Sequence, residues 1–112
     1  MPKNMSLLQG TLDVLILRAL ENGSLHGYGV VDWIRDVTDD ALQVDDGALY
    51  TSLHRMEKKG WLQASWGVSP KGRRARFYAL TEAGRKQLTK AQENWHRYAE
   101  AVLKVFHAPR SS

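Results

Sequence analysis

Residues 45 to 61 carry the pattern of an amphipathic helix. Leu49, Leu53 and Met56 recur at the i, i+4, i+7 spacing that places three apolar side chains on one helical face, which we expect to be buried. The opposite face is small, polar, aromatic and basic, and it comprises Gly47, Thr51, His54, Arg55 and Lys58, with Ala48 and Tyr50 on its shoulders. Taken alone, such a face is typical of an ordinary surface helix of a small bundle. The residues that follow in the chain favour a helix that lies against a ligand.

Both ends of this helix are marked. Asp45 or Asp46 can accept hydrogen bonds from the N–H groups of the first turn. Gly60 follows two lysines, which suit the negative end of the helix dipole, and it can end the helix. The sequence therefore predicts a helix that begins after the aspartates and stops before Trp61.

After Gly60 the pattern changes from helical to extended. Residues 61–66 and 76–80 are strand-like, and residues 67–74 between them are rich in turn formers, which predicts a β-hairpin. The charged residues of the hairpin are all positive, namely Lys71, Arg73, Arg74 and Arg76. A solvated hairpin tip normally mixes charges of both signs, so this group favours contact with phosphates over an ordinary solvated loop.

Two helices are expected before this region. Ser6 and Gln9 have the spacing of a capping box, and the residues that follow are apolar round most of a helix that we expect Gly23 to stop. Ser24 can cap a second helix, which should run from Leu25 to about residue 37 with its glycines in the first turn. Glycine there would allow another backbone to approach closely.

A long helix is predicted from Thr81 onwards, with Thr81 as its cap. Its apolar residues step by three and four in a heptad-like seam, which consists of Leu88, Ala91, Trp95, Tyr98, Val102 and Val105. Such a seam needs another helix, and we interpret it as a dimer interface. Trp95 lies in its middle, where two copies could hold the two helices apart and leave a slot between the helices for a flat aromatic effector. Trp95 and Tyr98 are the candidate effector-binding residues. Alternatively, Trp95 fills the dimer core or packs on the first helix of its own chain.

Composition narrows the functional classes. The 112 residues are 43% hydrophobic and 25% charged, which is ordinary for one globular domain, and the net charge of +4 favours an anionic partner such as nucleic acid. The chain has no cysteine, its four histidines lack metal-motif spacing, and no phosphate loop or paired-carboxylate site stands out. No run approaches the ~20 apolar residues of a membrane span. We therefore expect a cytoplasmic protein that is not an enzyme and has no cofactor, no metal and no membrane partner.

The predicted order is α-α-α-β-β-α, a mainly α fold with a two-stranded hairpin. This is the layout of a winged helix-turn-helix domain over residues 1–80, followed by a dimerisation helix and short tail over residues 81–112. In that geometry the third helix enters the major groove of DNA and the wing reaches the adjacent backbone or minor groove. Four segments also resemble PadR-type transcriptional regulators, in particular the compact subfamily with one C-terminal helix: Leu25–Tyr28, Gly47–Tyr50, Leu53–Leu62 and Arg76–Gly84.

The resemblance implies a homodimeric repressor that releases a pseudo-palindromic operator in double-stranded DNA when a small, often aromatic molecule binds. It also implies that Tyr50 and the open face of its helix read DNA, and that the turn His26–Gly27–Tyr28 clamps the DNA backbone, where packing at a core edge is the alternative for Tyr28 and Tyr50. Members often carry Ser-Pro where this chain has Asp45–Asp46, and those carboxylates would repel phosphates unless they cap the helix. A winged helix used only for protein interaction, without specific DNA binding, is the other functional hypothesis.

Overall fold

The computed structural model describes residues 5–6 and 10–110, over which helices alternate with short strands. The helices are α1 (Thr11–Ala19), α2 (Gly27–Val37), α3 (Asp46–Lys58) and α4 (Glu82–His107), and the strands are β1 (Met5–Ser6), β2 (Leu25–His26), β3 (Leu42–Gln43), β4 (Leu62–Val68) and β5 (Arg74–Leu80). The predicted mainly helical fold with a hairpin between the third and last helices is confirmed. None of the described helices is long and apolar enough to cross a membrane.

The sheet that carries the hairpin has three strands rather than two, in the order β2-β5-β4. Leu25 and His26 were expected to open the second helix, but they pair antiparallel with Tyr78 and Phe77 of β5. Their extended backbone is explained by this pairing, because it satisfies polar groups that a helix end would leave open. The helix consequently begins at Gly27, and the start of α2 is joined directly to the hairpin.

The first helix begins later than the sequence indicated. Ser6, the predicted cap, pairs with Gln43 in a short parallel ladder, while Gln9 lies outside the described residues. Gly10 is the residue before the helix, with a φ of 84° that favours glycine. Gly23, with a φ of 147°, lies in the turn after α1 where the sequence predicted a stop.

The core lies where α1, α2 and α3 meet the base of the sheet. Leu49, Leu53 and Met56 are fully buried, as the helical pattern predicted. Their neighbours in the core include Ile16, Leu17, Leu20, Val30, Ile34, Leu62 and Tyr78. The buried face of α3 therefore fixes the direction in which its opposite face points.

The long helix α4 belongs partly to this core. Thr81 caps it as predicted, since its hydroxyl oxygen accepts a hydrogen bond from the Gly84 N–H at 3.0 Å. Leu88 is only 2% exposed and Ala91 packs against the same cluster. Leu88 was assigned to a dimer interface, but the structure buries it within its own chain because α4 packs along α1. Beyond this point the large apolar residues of α4 are exposed, in particular Tyr98, Leu103, Val105 and Phe106.

Candidate nucleic-acid interface

The exposed face of α3 carries four of the residues that the sequence singled out. Gly47, Thr51, His54 and Lys58 are exposed along it, and Ala48 is exposed beside them. The N-terminus of the helix is capped by Asp45, whose carboxylate oxygen accepts a hydrogen bond from the Ala48 N–H at 3.0 Å. The carboxylate of Asp45 therefore serves the helix terminus, where negative charge is favourable.

Arg55 lies at the edge of that face and is bound to another helix. Its guanidinium donates two hydrogen bonds to the carboxylate of Asp13 in α1, at 2.7 and 2.8 Å. The hydrogen bond to Asp13 raises the pKa of Arg55, against the opposing effect of burial. The resemblance implied that the open face of this helix reads DNA, but in the structure Arg55 of that face ties α3 to α1.

The turn at the start of α2 is organised by its own side chains. The ring nitrogen Nδ1 of His26 accepts a hydrogen bond from the Gly29 N–H at 3.1 Å, so His26 caps the helix where Ser24 was expected to do so. Gly27 is buried, and a Cβ atom placed on it would lie 2.8 Å from the Tyr50 hydroxyl oxygen. This glycine therefore makes room for the Tyr50 side chain of α3. The sequence had instead suggested that a glycine in this turn lets the DNA backbone approach closely.

Tyr28 and Tyr50 join the turn to α3. Their rings meet edge to face with centroids 6.4 Å apart, and Tyr28 is 55% exposed while Tyr50 is half-buried. Burial raises the pKa of the Tyr50 hydroxyl, and the neighbouring Tyr28, Tyr78 and Asp46 raise it further. The hydroxyl consequently stays protonated at neutral pH and can donate a hydrogen bond. Tyr50 thus packs at the edge of the core and also presents a polar group beside the wing.

The wing is the hairpin formed by β4 and β5. Its tip closes through a hydrogen bond from the Ser69 N–H to the Arg73 carbonyl oxygen at 2.7 Å, and Gly72 adopts a φ of 78°. Within residues 10–110, no ion pair engages Lys71, Arg73 or Arg74. These three cations therefore remain available to an anionic ligand.

Arg76 differs from the other wing cations. Its guanidinium donates a hydrogen bond to the carboxylate of Glu57 in α3 at 2.8 Å. The contact neutralises part of its charge and holds the base of the wing against α3. We had grouped Arg76 with the phosphate-binding residues, and the structure gives it a bridging position.

A cavity of about 590 Å³ lies between the start of α2, α3 and the wing, and we refer to it as the wing groove. Its charged and aromatic lining consists of His26, Tyr28, Asp32, Tyr50, Trp66, Lys71, Arg73, Arg74 and Arg76. We refer to α3 as the reading helix, because its open face is the one expected to read DNA. The groove brings together the turn His26–Gly27–Tyr28, Tyr50 of the reading helix and all four wing cations. Sequence reasoning missed Trp66, although strand alternation from the buried Leu62 would have placed both on one face of the sheet.

A second cavity, of about 510 Å³, lies between α1, α3 and α4, and we refer to it as the α1–α4 cleft. Trp95 and Tyr98, the two predicted effector residues, both line it together with Trp61, Asp13 and Arg55. The indole N–H of Trp95 donates a hydrogen bond to the Thr11 hydroxyl at 3.4 Å. In the single chain, Trp95 therefore packs on α1 of its own chain, which is one of the alternatives to the slot between two subunits.

A helix with one buried and one open face, followed by a hairpin with a basic tip, defines a winged helix-turn-helix protein. The chain belongs to the PadR-like family of transcriptional regulators, because that family's model matches residues 16–90. Membership implies regulation through DNA binding, and the members are regulators rather than enzymes.

Individual relatives agree with this assignment. A transcriptional regulator of Mycobacterium tuberculosis is 33% identical over 89 residues, which cover 79% of this chain and 78% of that protein. A transcriptional regulator from Clostridium thermocellum superimposes with a TM-score of 0.77 at 29% identity, covering 86% of this chain and 93% of that chain. A PadR family transcription regulator from Clostridium difficile gives 0.71 at 28% identity, covering 88% and 100%.

Proposed function

We propose that the protein is a ligand-responsive repressor that binds a pseudo-palindromic operator as a homodimer. The wing groove is the observation that supports DNA binding. There Lys71, Arg73 and Arg74 lie without acidic partners in the described chain, next to Tyr50 of the reading helix.

The two surfaces suit different parts of a duplex. The open face of α3 offers Thr51, His54 and Lys58 to base edges and flanking phosphates in the major groove. The wing cations match the adjacent backbone, because lysine and arginine bind phosphate through charge-assisted hydrogen bonds. In a two-fold dimer the half-sites should lie about 34 Å apart on one side of the duplex.

The first prediction separates base reading from phosphate binding. Replacing Arg73 by Ala should weaken binding to every DNA sequence and lower the salt slope by roughly one unit, since one phosphate contact is lost. Replacing Thr51 by Ala should weaken binding of the preferred sequence only, by about 0.5–1.5 kcal/mol, the contribution of a single hydrogen bond to a base edge. A genomic DNA fragment that the purified protein binds is first selected by capture on the protein, and we call it the retained fragment. Both effects are measured by titrating the retained fragment and an unrelated duplex at several salt concentrations.

The matched control is Lys90→Ala, which removes one exposed cation from α4 and should leave both affinities unchanged. A protein-interaction module is the alternative function. Equal, weak binding of every duplex by the unmodified protein, together with a footprint lacking two-fold symmetry, would favour that alternative over the operator model.

The ligand response is supported by the α1–α4 cleft. Trp61, Trp95 and Tyr98 give it aromatic walls that suit a flat aromatic molecule. The same cleft contains the Asp13–Arg55 pair, which binds α1 to the reading helix. A ligand that alters this pair would act directly on the position of α3.

A further inference from the structure

Trp66 is a large apolar side chain on the wing that has no role among the proposed contacts with DNA. It is 62% exposed, although the indole ring is among the most costly surfaces to leave in water. It lies on β4 directly opposite Arg76 of β5. Because side chains alternate along a strand, Trp66 shares its face with Leu62, which is buried in the core.

Four side chains form a ladder along this face, from the core towards the tip. Tyr78 is buried at its base, and the guanidinium carbon of Arg76 lies 5.9 Å from the centre of the Tyr78 ring. Trp66 follows opposite Arg76, and the guanidinium carbon of Arg74 lies 4.4 Å from the centre of the indole ring. We name Tyr78, Arg76, Trp66 and Arg74 the wing ladder, in which aromatic and cationic groups alternate.

The two arginines of the ladder differ in their contacts. Arg76 donates one N–H to the carboxylate of Glu57. Arg74 has its guanidinium carbon over the indole ring of Trp66, and within residues 10–110 its guanidinium makes no hydrogen bond. A cation held over an aromatic ring keeps its N–H donors available to a ligand. The contact with Trp66 therefore uses none of the groups that bind phosphate.

We infer that Trp66 is a positioning residue that holds the guanidinium of Arg74 in the wing groove, aimed at a phosphate of the bound DNA. The inference rests on the proposed function and assigns a role to a residue outside the predicted contact set. A flexible arginine must lose side-chain freedom when it binds, whereas a stacked one has lost much of it beforehand. The gain from one exposed cation–π contact corresponds to about two- to fivefold in affinity.

The experiment is a double-mutant cycle on a retained DNA fragment. Trp66→Ala should weaken binding about two- to fivefold while the salt slope changes little, because Arg74 is still present. Arg74→Ala should weaken binding and lower the slope by roughly one unit. In the Arg74→Ala background the Trp66→Ala change should have no further effect, so the two changes are not additive. Trp66→Phe keeps an aromatic face and should recover part of the loss.

The control cycle pairs Trp66→Ala with Lys71→Ala, a wing cation that has no aromatic stack among the described contacts. These two changes should add. Since Trp66 is exposed, the melting temperature of Trp66→Ala should stay close to that of the unmodified protein. Additive losses for Trp66 and Arg74, or a Phe variant as weak as the Ala variant, would overturn the inference while leaving the proposed function intact.

The ordering of Arg74 is measured separately, without DNA. Nitrogen-15 relaxation of the Arg74 side-chain Nε–H should report restricted motion in the unmodified protein and greater motion in Trp66→Ala. Equal mobility in both would overturn the inference whatever the DNA titrations give. If restricted motion is found and the protein retains no DNA, the proposed function is overturned, and the assignment of Arg74 to a phosphate with it.

Discussion

Gly84 occupies a contact in which a side chain would overlap the neighbouring backbone. It is buried in the first turn of α4, and a Cβ atom there would overlap the carbonyl oxygen of Trp61. The same carbonyl accepts a hydrogen bond from the Thr81 N–H at 3.1 Å, and the Thr81 hydroxyl donates to the Gly60 carbonyl oxygen at 2.6 Å. The start of α4 is thereby fixed to the turn between α3 and the wing.

We predict that Gly84→Ala destabilises the protein by about 1–3 kcal/mol, because backbone cannot move aside as a flexible side chain can. Alanine favours helix by up to about 1 kcal/mol over glycine, so any loss reflects the clash alone. Thermal and chemical denaturation measure the change. The matched control is Gly29→Ala in the first turn of α2, where the new Cβ would meet the Leu25 side chain at 3.4 Å, an ordinary contact distance. Equal stability of the two variants would contradict the prediction.

Single residues were predictable where the cause is local. Asp45, Gly60 and Thr81 act at helix ends, and their caps depend only on neighbouring backbone groups, so the sequence indicated all three. Gly27 was different, because its neighbour Tyr50 comes from another helix and no local pattern specifies that contact. The expected contact of Arg55 with DNA overlooked its ion pair with Asp13 for the same reason, because 42 residues separate Arg55 from Asp13.

Among the secondary-structure elements, α4 has two different surroundings along its 26 residues. Its N-terminal part packs on α1 through Leu88 and Ala91, while Val105 and Phe106 near its end are 74% and 73% exposed. The heptad spacing correctly predicted an apolar seam. Periodicity alone cannot distinguish a partner helix in the same chain from one in another chain. The first half of α4 packs against a helix of its own chain.

We propose that the exposed second half of α4 is the dimer contact, and we predict that Val105→Asp separates the subunits. Val105 is exposed in the single chain, so the change should not disturb its own core, whereas a charge buried in an apolar interface costs several kcal/mol. Sedimentation at micromolar concentration measures the outcome.

The control for this variant is Lys104→Asp, which places a carboxylate on the polar side of α4, about 100° round the helix from Val105. It should sediment as the unmodified protein does. An unmodified protein that is monomeric at micromolar concentration, or a Val105→Asp variant that remains dimeric, would contradict the assignment of the second half of α4 to the interface.

Over the whole molecule, α1 connects the parts that the sequence treated separately. It binds α3 through Asp13 and Arg55, and it binds α4 through Thr11 and Trp95. The order α-α-α-β-β-α was predictable because each element carries its own period and its own boundary residues. The α1–α4 cleft was not, since it depends on the angle at which α4 leaves the core.

The connection through α1 leads to a prediction about regulation. A ligand in the α1–α4 cleft would contact Trp95 and lie beside the Asp13–Arg55 pair, so it would bias the position of α3 relative to α4. It can shift operator affinity only by its differential affinity for the two arrangements. Trp95→Ala should therefore bind planar aromatic cations and phenols more weakly while it retains DNA binding. Fluorescence titration and operator release measure the two effects.

Trp66→Phe is the control for that experiment, because it removes a tryptophan that lines the wing groove and leaves the α1–α4 cleft untouched. Its ligand affinity should equal that of the unmodified protein. Stacking on an indole contributes about 0.5–1.5 kcal/mol beyond the area buried. Removal of Trp95 should therefore lower the ligand affinity by roughly two- to twelvefold, and loss of its buried area should lower the affinity further. An unchanged ligand affinity in Trp95→Ala would remove Trp95 from the effector site, and ligand binding without operator release would leave the cleft uncoupled from α3.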